Sequence, residues 1–191
     1  MGTLSEEALT AMGFSEVGKA VHISDRASFY GVNRIHLGNN VRIDDFCVLS
    51  AGDGGITIGN HVHVAVYCCL IGAARISLAD FANISSRVSI YSSSDDYSGA
   101  TMSNPTVPDE FKNVHNADVL IGRHVIVGSG SVILPGAVLE DGVAIGALSM
   151  VCGHCPEFGI YAGVPARRVR ERDRALLELE QRFLRSHSEP G

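Results

Sequence analysis

Aliphatic residues recur at every sixth position along most of this chain. From Ile121 to Val151 this spacing holds without a slip, and shorter in-phase stretches begin at Leu37, Ile58 and Leu78. Each unit opens with an aliphatic residue, often followed by Gly or Ala, and carries a small or β-branched residue fifth. An amphipathic helix would need apolar spacings of three and four, and antiparallel hairpins would need turn pairs such as Asn-Gly. The pattern fits neither.

A six-residue unit has the length of one short strand and one corner. Three units make a coil, and at about 3.3 Å per residue each face of the resulting triangular prism is roughly 20 Å wide with its corner. Stacked coils pair through parallel strands and bury their aliphatic side chains in one continuous column. The spacing therefore predicts an all-β fold, a parallel β-helix built from hexapeptide repeats.

The two ends of the chain depart from the repeat. Residues 1–19 predict a helical cap, with Ser5 as its N-cap and Gly13 as its end. Residues 166–191 predict an amphipathic α-helix followed by a loose tail from Ser188 onward. The apolar positions of this helix are Val169, Leu176, Leu179 and Phe183.

Between these ends, residues 20–165 predict the β-helix of a single domain, with one interruption. The repeat breaks over residues 92–118, a polar stretch that contains Pro105 and Pro108. Structureless segments of this length inside a compact domain are usually functional or disordered. This excursion loop is therefore the first place to expect residues that bind a substrate.

Composition narrows the function classes. The chain has 191 residues, of which 46% are hydrophobic and only 19% charged, and its formal net charge is −6. These values argue against a disordered chain and against a nucleic-acid binder that works through positive charge. The sequence shows no apolar run of membrane-spanning length and no secretory leader. Five cysteines, two of them adjacent at Cys68 and Cys69, suggest reduced thiols, so we expect a cytoplasmic protein.

The repeat and the segment from Tyr161 to Ala166, which reads YAGVPA, resemble the hexapeptide-repeat acyltransferases. The resemblance covers residues 20–170 and is nearest to galactoside acetyltransferases and to sugar acetyltransferases of surface-polysaccharide pathways, including lipopolysaccharide biosynthesis. It implies a left-handed coil and transfer of an acetyl group from acetyl-CoA to a hydroxyl or amine of a sugar. It also implies a homotrimer with its sites between subunits. The sequence does not distinguish among free, nucleotide-linked and lipid-linked sugars as the acceptor.

The same resemblance implies where the thioester arm of acetyl-CoA lies. In galactoside acetyltransferases the arm runs past positions that match Ser129 and Ala147 of this chain. A purely structural role for these two small residues is an equal alternative. The family commonly has a Thr-Lys pair after this coil, whereas this chain has Cys152 and Gly153, so one basic contact to the cofactor is missing.

Positive charge is concentrated at the C-terminal end. Residues 165–191 hold seven Arg against five acidic residues, and the rest of the chain holds eight bases against sixteen acids. Arg167, Arg168 and Arg170 lie beside the last coil, where the resemblance implies the nucleotide end of coenzyme A. We expect Arg167 and Arg170 to contact its phosphates; surface ion pairs are the alternative.

Direct acyl transfer requires a base, and histidine suits that role near neutral pH. If Val62 and Val64 face inward, strand alternation turns His61 and His63 outward. His63 opens a segment that resembles a His-Ile-Ala segment of the polysaccharide-pathway relatives, so we predict His63 as the general base. His61 and His115, the latter on the returning arm of the excursion loop, remain alternatives.

The excursion loop departs from the family at its start. Galactoside acetyltransferases carry their base in a Gly-His-Pro-Val-His segment, where this chain reads SSDDY. We therefore predict that Asp95, Asp96, Tyr97 and His115 bind the acceptor or orient a histidine across a subunit boundary. An ordinary solvated turn is the alternative. The pair at residues 44–45 lies inside a repeat, and a corner role and a substrate role compete evenly there.

No metal is expected. Cys152 and Cys155 form a CxxC, but a structural zinc site needs a second ligand pair, and the chain has no other CxxC. A zinc hydrase of the same β-helix class stays open as an alternative function, although it needs two histidines five residues apart, a spacing absent here. A scaffold subunit without activity is the other alternative, and the intact YAGVPA segment argues against it.

Overall fold

The predicted parallel β-helix is confirmed in the computed structural model, which describes residues 2–188. Three sheets form the three faces of the prism, and the strands of successive coils pair in parallel within each face. Within the described residues, no helix combines the length and apolar character needed to cross a membrane.

In the described part of the chain, twenty-one strands belong to the prism or its C-terminal extension. The first face contains β1 (Glu16–Val17), β4 (Ile35–Leu37), β7 (Ile56–Ile58), β10 (Ile76–Leu78), β15 (Val119–Ile121), β18 (Val138–Leu139) and β21 (His154–Cys155). The second contains β2 (His22–Ile23), β5 (Arg42–Ile43), β8 (His63–Val64), β11 (Asn83–Ile84), β16 (Ile126–Val127), β19 (Ala144–Ile145), β22 (Gly159–Gly163) and β23 (Ala166–Glu171). The third contains β3 (Ser28–Tyr30), β6 (Val48–Ala51), β9 (Cys69–Gly72), β12 (Ser89–Tyr91), β17 (Val132–Ile133) and β20 (Met150–Val151).

The aliphatic residues that open the repeats form the core. Six of them lie in unbroken phase, and each is at most 3% exposed: Ile121, Val127, Ile133, Leu139, Ile145 and Val151. Burying one such side chain stabilises the fold by about 1.5–3 kcal/mol, so the column holds the coils together without many charged residues. The low charge of the sequence follows from this arrangement.

The N-terminal helix closes the open end of the prism. Helix α1 spans Glu6–Met12, the Ser5 hydroxyl accepts a hydrogen bond from the Ala8 N–H at 3.2 Å, and Gly13 ends the helix with a φ of 77°. Leu9 is buried at the end of the core column. The first strand, β1, already pairs with β4, so the prism begins four residues before the predicted start at residue 20.

The C-terminal end differs from the sequence prediction. Residues 166–171 form β23, which runs antiparallel to β22, and the predicted helix begins only at Leu176 as α2 (Leu176–Ser188). Val169 therefore lies on a strand and is 64% exposed. The prediction extended the helix too far toward the N-terminus, because the position of Val169 continues the helical spacing of Leu176, Leu179 and Phe183. Residues 189–191, the end of the predicted loose tail, lie outside the described residues.

The three corners of the prism carry different groups. The helix corner, between the first and second faces, holds His61 and His124, where α2 packs. The aromatic corner, between the second and third faces, holds Phe46 and Tyr67. The loop corner, between the third and first faces, holds the excursion loop of residues 92–118, which also contains β13 (Ser93–Ser94), the 3-10 turn Asp109–Phe111 and β14 (His115–Asn116).

Candidate functional site

The excursion loop is anchored at its base by two short strands. β13 pairs antiparallel with β14, so that Ser94 lies opposite His115. The Ser93 hydroxyl donates to the side-chain oxygen of Asn116 at 2.6 Å. This pairing brings His115 close in register to Asp95, and two of the predicted acceptor residues therefore share one end of the loop.

A cleft of about 340 Å³ lies between the base of the loop and the third face. Its apolar side is formed by Val132 and Leu134, and Tyr91 and Tyr97 line it as well. Asp95 contributes the acidic group of the lining. Tyr97 is 93% exposed and lies at the rim. The cleft thus presents a carboxylate beside an apolar patch, a combination suited to a small amphipathic ligand.

Asp96 has a different environment from Asp95. Its carboxylate accepts hydrogen bonds from the Ser98 N–H at 2.8 Å and from the Thr101 N–H and hydroxyl at 3.1 and 2.9 Å. These bonds, those from Ser98 foremost, lower the pKa of Asp96 to about 2. Both oxygens of Asp96 therefore shape the turn of the loop, and Asp95 is the member of the pair that lines the cleft.

His63 lies on the second face, between two polar side chains of the neighbouring coils. Its Nε2 is 2.8 Å from Asp44 Oδ2, and its Nδ1 is 3.2 Å from Asn83 Oδ1. The Arg42 Nε–H donates to Asp44 Oδ1 at 2.7 Å. A carboxylate only accepts hydrogen bonds, so His63 Nε2 is the protonated nitrogen. The two oxygens can accept both N–H groups of an imidazolium, the form that His63 takes after accepting a proton.

Asp44 is 6% exposed and remains ionised in this setting. Burial by itself would raise the pKa of Asp44, but the hydrogen bonds from His63 and Arg42 outweigh that effect and hold the pKa below its ordinary value. The sequence left residues 44–45 undecided between a corner role and a site role. The structure makes Asp44 the partner that fixes the ring of His63.

His61, one of the alternative bases, belongs to a stack at the helix corner. Its ring lies 5.0 Å from that of Phe81, and Phe81 lies 4.9 Å from His124, with the planes almost parallel. Phe183 of α2 packs edge-on against His61 at 5.1 Å. Glu180, also on α2, holds His124 Nε2 at 2.9 Å. His61 therefore supports the docking of α2 and lies away from the excursion loop.

Ser129 and Ala147 are exposed on adjacent coils of the aromatic corner. The Leu148 N–H donates to the Ser129 carbonyl at 2.9 Å, which ties the two coils together. At Gly128 a Cβ would lie only 2.5 Å from the Ala147 backbone nitrogen, so glycine is required for this close approach. The corner consequently offers a path of backbone and small side chains, which suits the slender arm of a thioester cofactor.

The predicted phosphate-contacting arginines lie on β23. Arg167 and Arg170 are exposed, and Arg167 lines a shallow cleft of about 250 Å³ with Cys152 and Tyr161. Arg168 forms an ion pair with Glu171, the alternative that the sequence left open for this group. Arg167 and Arg170 thus lie at the end of the prism beyond Ala147.

Among the described residues, the CxxC segment belongs to no cluster of potential metal ligands. Cys155 is buried, and burial raises the pKa of its thiol to about 11. His154 Nε2 instead lies 2.8 Å from Glu140 Oε1. Throughout residues 2–188, no three or more His, Cys, Asp or Glu side chains come together as metal ligands.

The structure groups the predicted residues into three places. Asp95 and Tyr97 line the cleft at the loop corner, with His115 opposite Ser94 at the base of the loop. Ser129 and Ala147 lie at the aromatic corner, and the second face carries His63, with Arg167 and Arg170 on its last strand. Sequence reasoning missed Arg42 and Asn83, which flank His63. The sequence could have indicated both residues as neighbours of His63, because all three occupy the same position of successive repeats. In the structure they pair in register.

Two of three comparisons relate the chain to characterised proteins. No family model matches it. A dTDP-4-amino-4,6-dideoxy-D-glucose acyltransferase of Escherichia coli is 55% identical over 183 residues, which cover 96% of this chain and 95% of the relative. The N-acyltransferase AntD of Bacillus cereus, in complex with dTDP and 3-hydroxybutyryl-CoA, is 46% identical with a TM-score of 0.94 over 98% of each chain. A variant of AntD in complex with dTDP-4-amino-4,6-dideoxyglucose and coenzyme A has a TM-score of 0.92 at 46% identity, over 96% of this chain and 97% of that one.

Proposed function

The chain belongs to the hexapeptide-repeat sugar acyltransferases, and we propose that it acylates the amine of a dTDP-linked 4-amino-4,6-dideoxy sugar. The observation that carries this proposal is the likeness, over 96% of the chain at 55% identity, to an acyltransferase of that sugar nucleotide. This coverage includes the excursion loop and its cleft. The predicted acceptor class, a sugar hydroxyl or amine, thereby narrows to an amine on a nucleotide-linked sugar.

The cleft at the loop corner supports an amino-deoxy sugar as acceptor. The carboxylate of Asp95 complements an ammonium group, and the apolar side chains of Val132 and Leu134 complement the methyl group of a 6-deoxy sugar. Tyr97 supplies a hydroxyl group at the rim for a ring oxygen, and His115, opposite Ser94 at the base of the loop, is a second candidate for contact with the acceptor. A hydroxyl-rich hexose would leave the apolar side of this cleft poorly matched.

Acetyl-CoA is the acyl donor, in agreement with the coenzyme A thioester held by AntD. We place its thioester arm along Ser129 and Ala147 and its phosphates near Arg167 and Arg170. Neutral small residues and backbone amides suit the pantetheine arm, whereas exposed guanidinium groups suit the phosphates. The order of these residues along the prism matches the order of groups in coenzyme A.

In the proposed reaction, His63 removes a proton from the acceptor's ammonium group. The free amine then attacks the thioester carbonyl carbon and the C–S bond breaks. The attacking nitrogen releases its second proton to solvent as the amide forms, and coenzyme A leaves as a thiolate that takes up the proton held by His63. Asp44 accepts the Nε2–H of His63 throughout, which leaves Nδ1 to receive the proton once the acceptor displaces Asn83. A positioned general base typically contributes 10²–10⁴-fold to such a rate.

The separation of the three groups requires more than one subunit. The acceptor cleft and the thioester path at Ser129 and Ala147 lie at opposite edges of the third face, about 20 Å apart, and His63 lies on the second face. We therefore infer a homotrimer in which the loop of one subunit reaches the neighbouring subunit. A cytoplasmic location and a place in surface-polysaccharide biosynthesis, including lipopolysaccharide, complete the proposal, because such pathways consume nucleotide-linked sugars.

The test is an acceptor screen with the full chain. Release of free thiol from acetyl-CoA should accelerate with dTDP-4-amino-4,6-dideoxyglucose, and mass spectrometry should show one added acetyl group in an amide. The matched control is the sugar nucleotide with a hydroxyl in place of the 4-amino group, which should give little or no acceleration. Equal rates with both compounds, or a preference for free galactosides, would refute N-acylation. No thiol release with any acceptor would favour a scaffold subunit.

A further inference from the structure

Tyr91 lines the acceptor cleft and has no role in the proposed reaction so far. It is the last residue of β12, in register with Ile71 on the preceding coil, and the excursion loop begins directly after it. Tyr91 therefore belongs to the prism, whereas Asp95 and Tyr97 belong to the loop. A side chain on a packed strand is held more precisely than one on a loop.

The backbone beside Tyr91 is tightly anchored. Ser92 is fully buried, and its hydroxyl donates to the Ala74 carbonyl at 2.7 Å. The Ser92 N–H donates to the Ile71 carbonyl at 3.0 Å, which continues the pairing of the third face one residue beyond β12. At Gly72 a Cβ would lie only 2.1 Å from the Ser92 hydroxyl oxygen, so the two coils are in close contact here. Tyr91 is thus carried by backbone with little freedom to move.

The phenol of Tyr91 is also fixed at its far end. The Cys69 thiol, on the preceding coil, donates to the Tyr91 hydroxyl oxygen at 3.6 Å. Ser89, two residues before Tyr91 and in register with Cys69, also hydrogen-bonds to the phenol. A phenol oxygen can accept hydrogen bonds and still donate its own proton. The Tyr91 hydroxyl is therefore placed in advance and keeps a proton for a ligand.

The other hydroxyl groups that line the cleft are committed or unfixed. Ser93 donates its proton to a side-chain oxygen on the returning arm of the loop at 2.6 Å, and Ser94 donates to the Asp95 carbonyl at 3.3 Å. Tyr97 is 93% exposed at the rim. Among the described residues that line the cleft, Tyr91 thus supplies the hydroxyl donor that is both fixed and uncommitted.

A sugar ring in this cleft needs a donor of this kind. With Asp95 at the C4 amine and the apolar side chains at the C6 methyl group, the hydroxyl groups that remain on the ring are those at C2 and C3. An ionised carboxylate accepts hydrogen bonds and donates none, so Asp95 cannot donate to a hydroxyl oxygen.

We infer that the Tyr91 hydroxyl donates a hydrogen bond to the C2 or C3 hydroxyl oxygen of the acceptor sugar, and that Cys69 positions the phenol for this contact. The inference rests on the proposed acylation of an amino sugar nucleotide. It adds to that proposal the group that recognises the sugar ring.

The first experiment measures the steady-state kinetics of Tyr91→Phe, which lacks only the hydroxyl oxygen. The KM for dTDP-4-amino-4,6-dideoxyglucose should rise by about three- to tenfold, the range expected for loss of a neutral hydrogen bond. The KM for acetyl-CoA and kcat should change little, because the contact is to the sugar ring and not to the reacting atoms. An unchanged KM for the sugar nucleotide would overturn the inference.

Tyr30→Phe is the matched control for this experiment. Tyr30 lies in the same row of the third face three coils earlier, connected in register through Ser50 and Ile71, and it lies outside the lining of the cleft. Both KM values and kcat should stay at the wild-type level in Tyr30→Phe. A rise in the KM for the sugar nucleotide equal to that in Tyr91→Phe would show that the effect is not specific to the cleft.

The second experiment identifies the contact on the sugar. Wild type and Tyr91→Phe are compared on the amino sugar nucleotide and on its 2-deoxy and 3-deoxy analogues. Removal of the hydroxyl that Tyr91 contacts should raise the wild-type KM but have little further effect in Tyr91→Phe, because the two changes remove the same hydrogen bond. Additive effects with both analogues would show that Tyr91 does not bind the sugar ring, and would overturn the inference.

The third experiment tests Cys69 as a positioning residue. Cys69→Val removes the donor to the phenol and should raise the KM for the sugar nucleotide, by less than Tyr91→Phe does. Cys69→Ser keeps a donor and should lie nearer to wild type. In the Tyr91→Phe background the two Cys69 variants should have equal KM values, because the phenol oxygen is absent. A difference that persists in that background would refute the positioning role, since Cys69 would then be acting through packing.

The outcomes separate this inference from the proposed activity. Isothermal titration with the sugar nucleotide alone measures its binding without turnover. Acylation of the amino sugar with the same KM in wild type and Tyr91→Phe would reject the role of Tyr91 and keep the activity. Binding that weakens in Tyr91→Phe, together with a failed acceptor screen, would reject the acylation and keep the contact.

Discussion

The His63 imidazole holds its Nε2 2.8 Å from the buried carboxylate of Asp44, one coil earlier in the prism. The two residues lie 19 positions apart, about the length of one coil, so the stacking of the coils creates their contact. The guanidinium of Arg42 occupies the other carboxylate oxygen. Asp44 therefore has one oxygen free for His63, and this fixes both the orientation and the tautomer of the ring.

The first prediction concerns His63 as general base. In His63→Asn, kcat for acetylation of the amino sugar nucleotide should fall by about 10²–10⁴-fold, because the amide cannot accept a proton. The KM for acetyl-CoA should change little, since the cofactor path lies at Ser129 and Ala147.

His115→Asn is the matched control, because His115 is an exposed histidine at the base of the excursion loop. It should affect the KM of the acceptor more than kcat. If His115→Asn lowers kcat by about 10²–10⁴-fold and His63→Asn leaves it nearly unchanged, the base lies on the loop and the role of the Asp44–His63 pair is structural.

The second prediction concerns the pH dependence of stability. The pKa of Asp44 is lowered in the folded state, so its ionised form stabilises the fold at pH values above the ordinary carboxyl range near 4. That stabilisation is lost as the pH falls through the lowered pKa. The difference in unfolding free energy between wild type and Asp44→Asn should therefore be greatest near neutral pH and shrink below about pH 4.

Denaturant titrations at a series of pH values measure this difference. Asp109→Asn is the control, because Asp109 is fully exposed in its ion pair with Lys112, and this change should leave the unfolding free energy close to that of wild type at every pH. A wild-type-to-Asp44→Asn difference that stays constant from pH 7 to pH 3 would show that the carboxylate charge does not stabilise the folded protein.

The repeat made most of the fold predictable, and its breaks limited what else the sequence could show. The phase from Ile121 to Val151 identified core residues that the structure buries. The stack of His61, Phe81 and His124 occupies one repeat position too, but the excursion loop separates Phe81 from His124 by more than two coil lengths of sequence. Side-chain contacts between coils depend on register across such insertions, which a count of residues does not supply.

The candidate site was less predictable for a related reason. The sequence indicated residues with suitable chemistry, such as Asp95 and Asp96. It could not show which of these adjacent carboxylates lines the cleft and which holds the turn of the loop. Hydrogen bonds from Ser98 and Thr101 distinguish the two, and these depend on the local turn of the loop. The sequence likewise did not show that the excursion loop lies away from His63, because this depends on the corner of the prism at which the loop begins.

The third prediction concerns the cofactor path. Ala147→Phe should raise the KM for acetyl-CoA by at least about tenfold, because a ring at this exposed corner position would obstruct the thioester arm. Ala175→Phe, an exposed change just before α2, should leave that KM unchanged. Isothermal titration with coenzyme A provides the same comparison without turnover. Equal affinities of the two variants for coenzyme A would show that the cofactor does not bind along Ala147.

The last prediction separates the two carboxylates of the excursion loop. Asp95→Asn should raise the KM for the amino sugar nucleotide by about tenfold or more, because a charge-assisted hydrogen bond to an ammonium group is worth about 1.5–3 kcal/mol. Its hydrogen-exchange pattern should match that of wild type, since Asp95 lines the cleft without holding the turn. Asp96→Ala should do the reverse: the amides of Ser98 and Thr101 lose their acceptor and should exchange faster. Any kinetic loss in Asp96→Ala should then follow from the loosened loop, and it should be partly restored in Asp96→Asn, whose side-chain oxygen can still accept one of those bonds. Equal kinetic and exchange effects in Asp95→Asn and Asp96→Ala would contradict this division, because both carboxylates would then be acting on the turn.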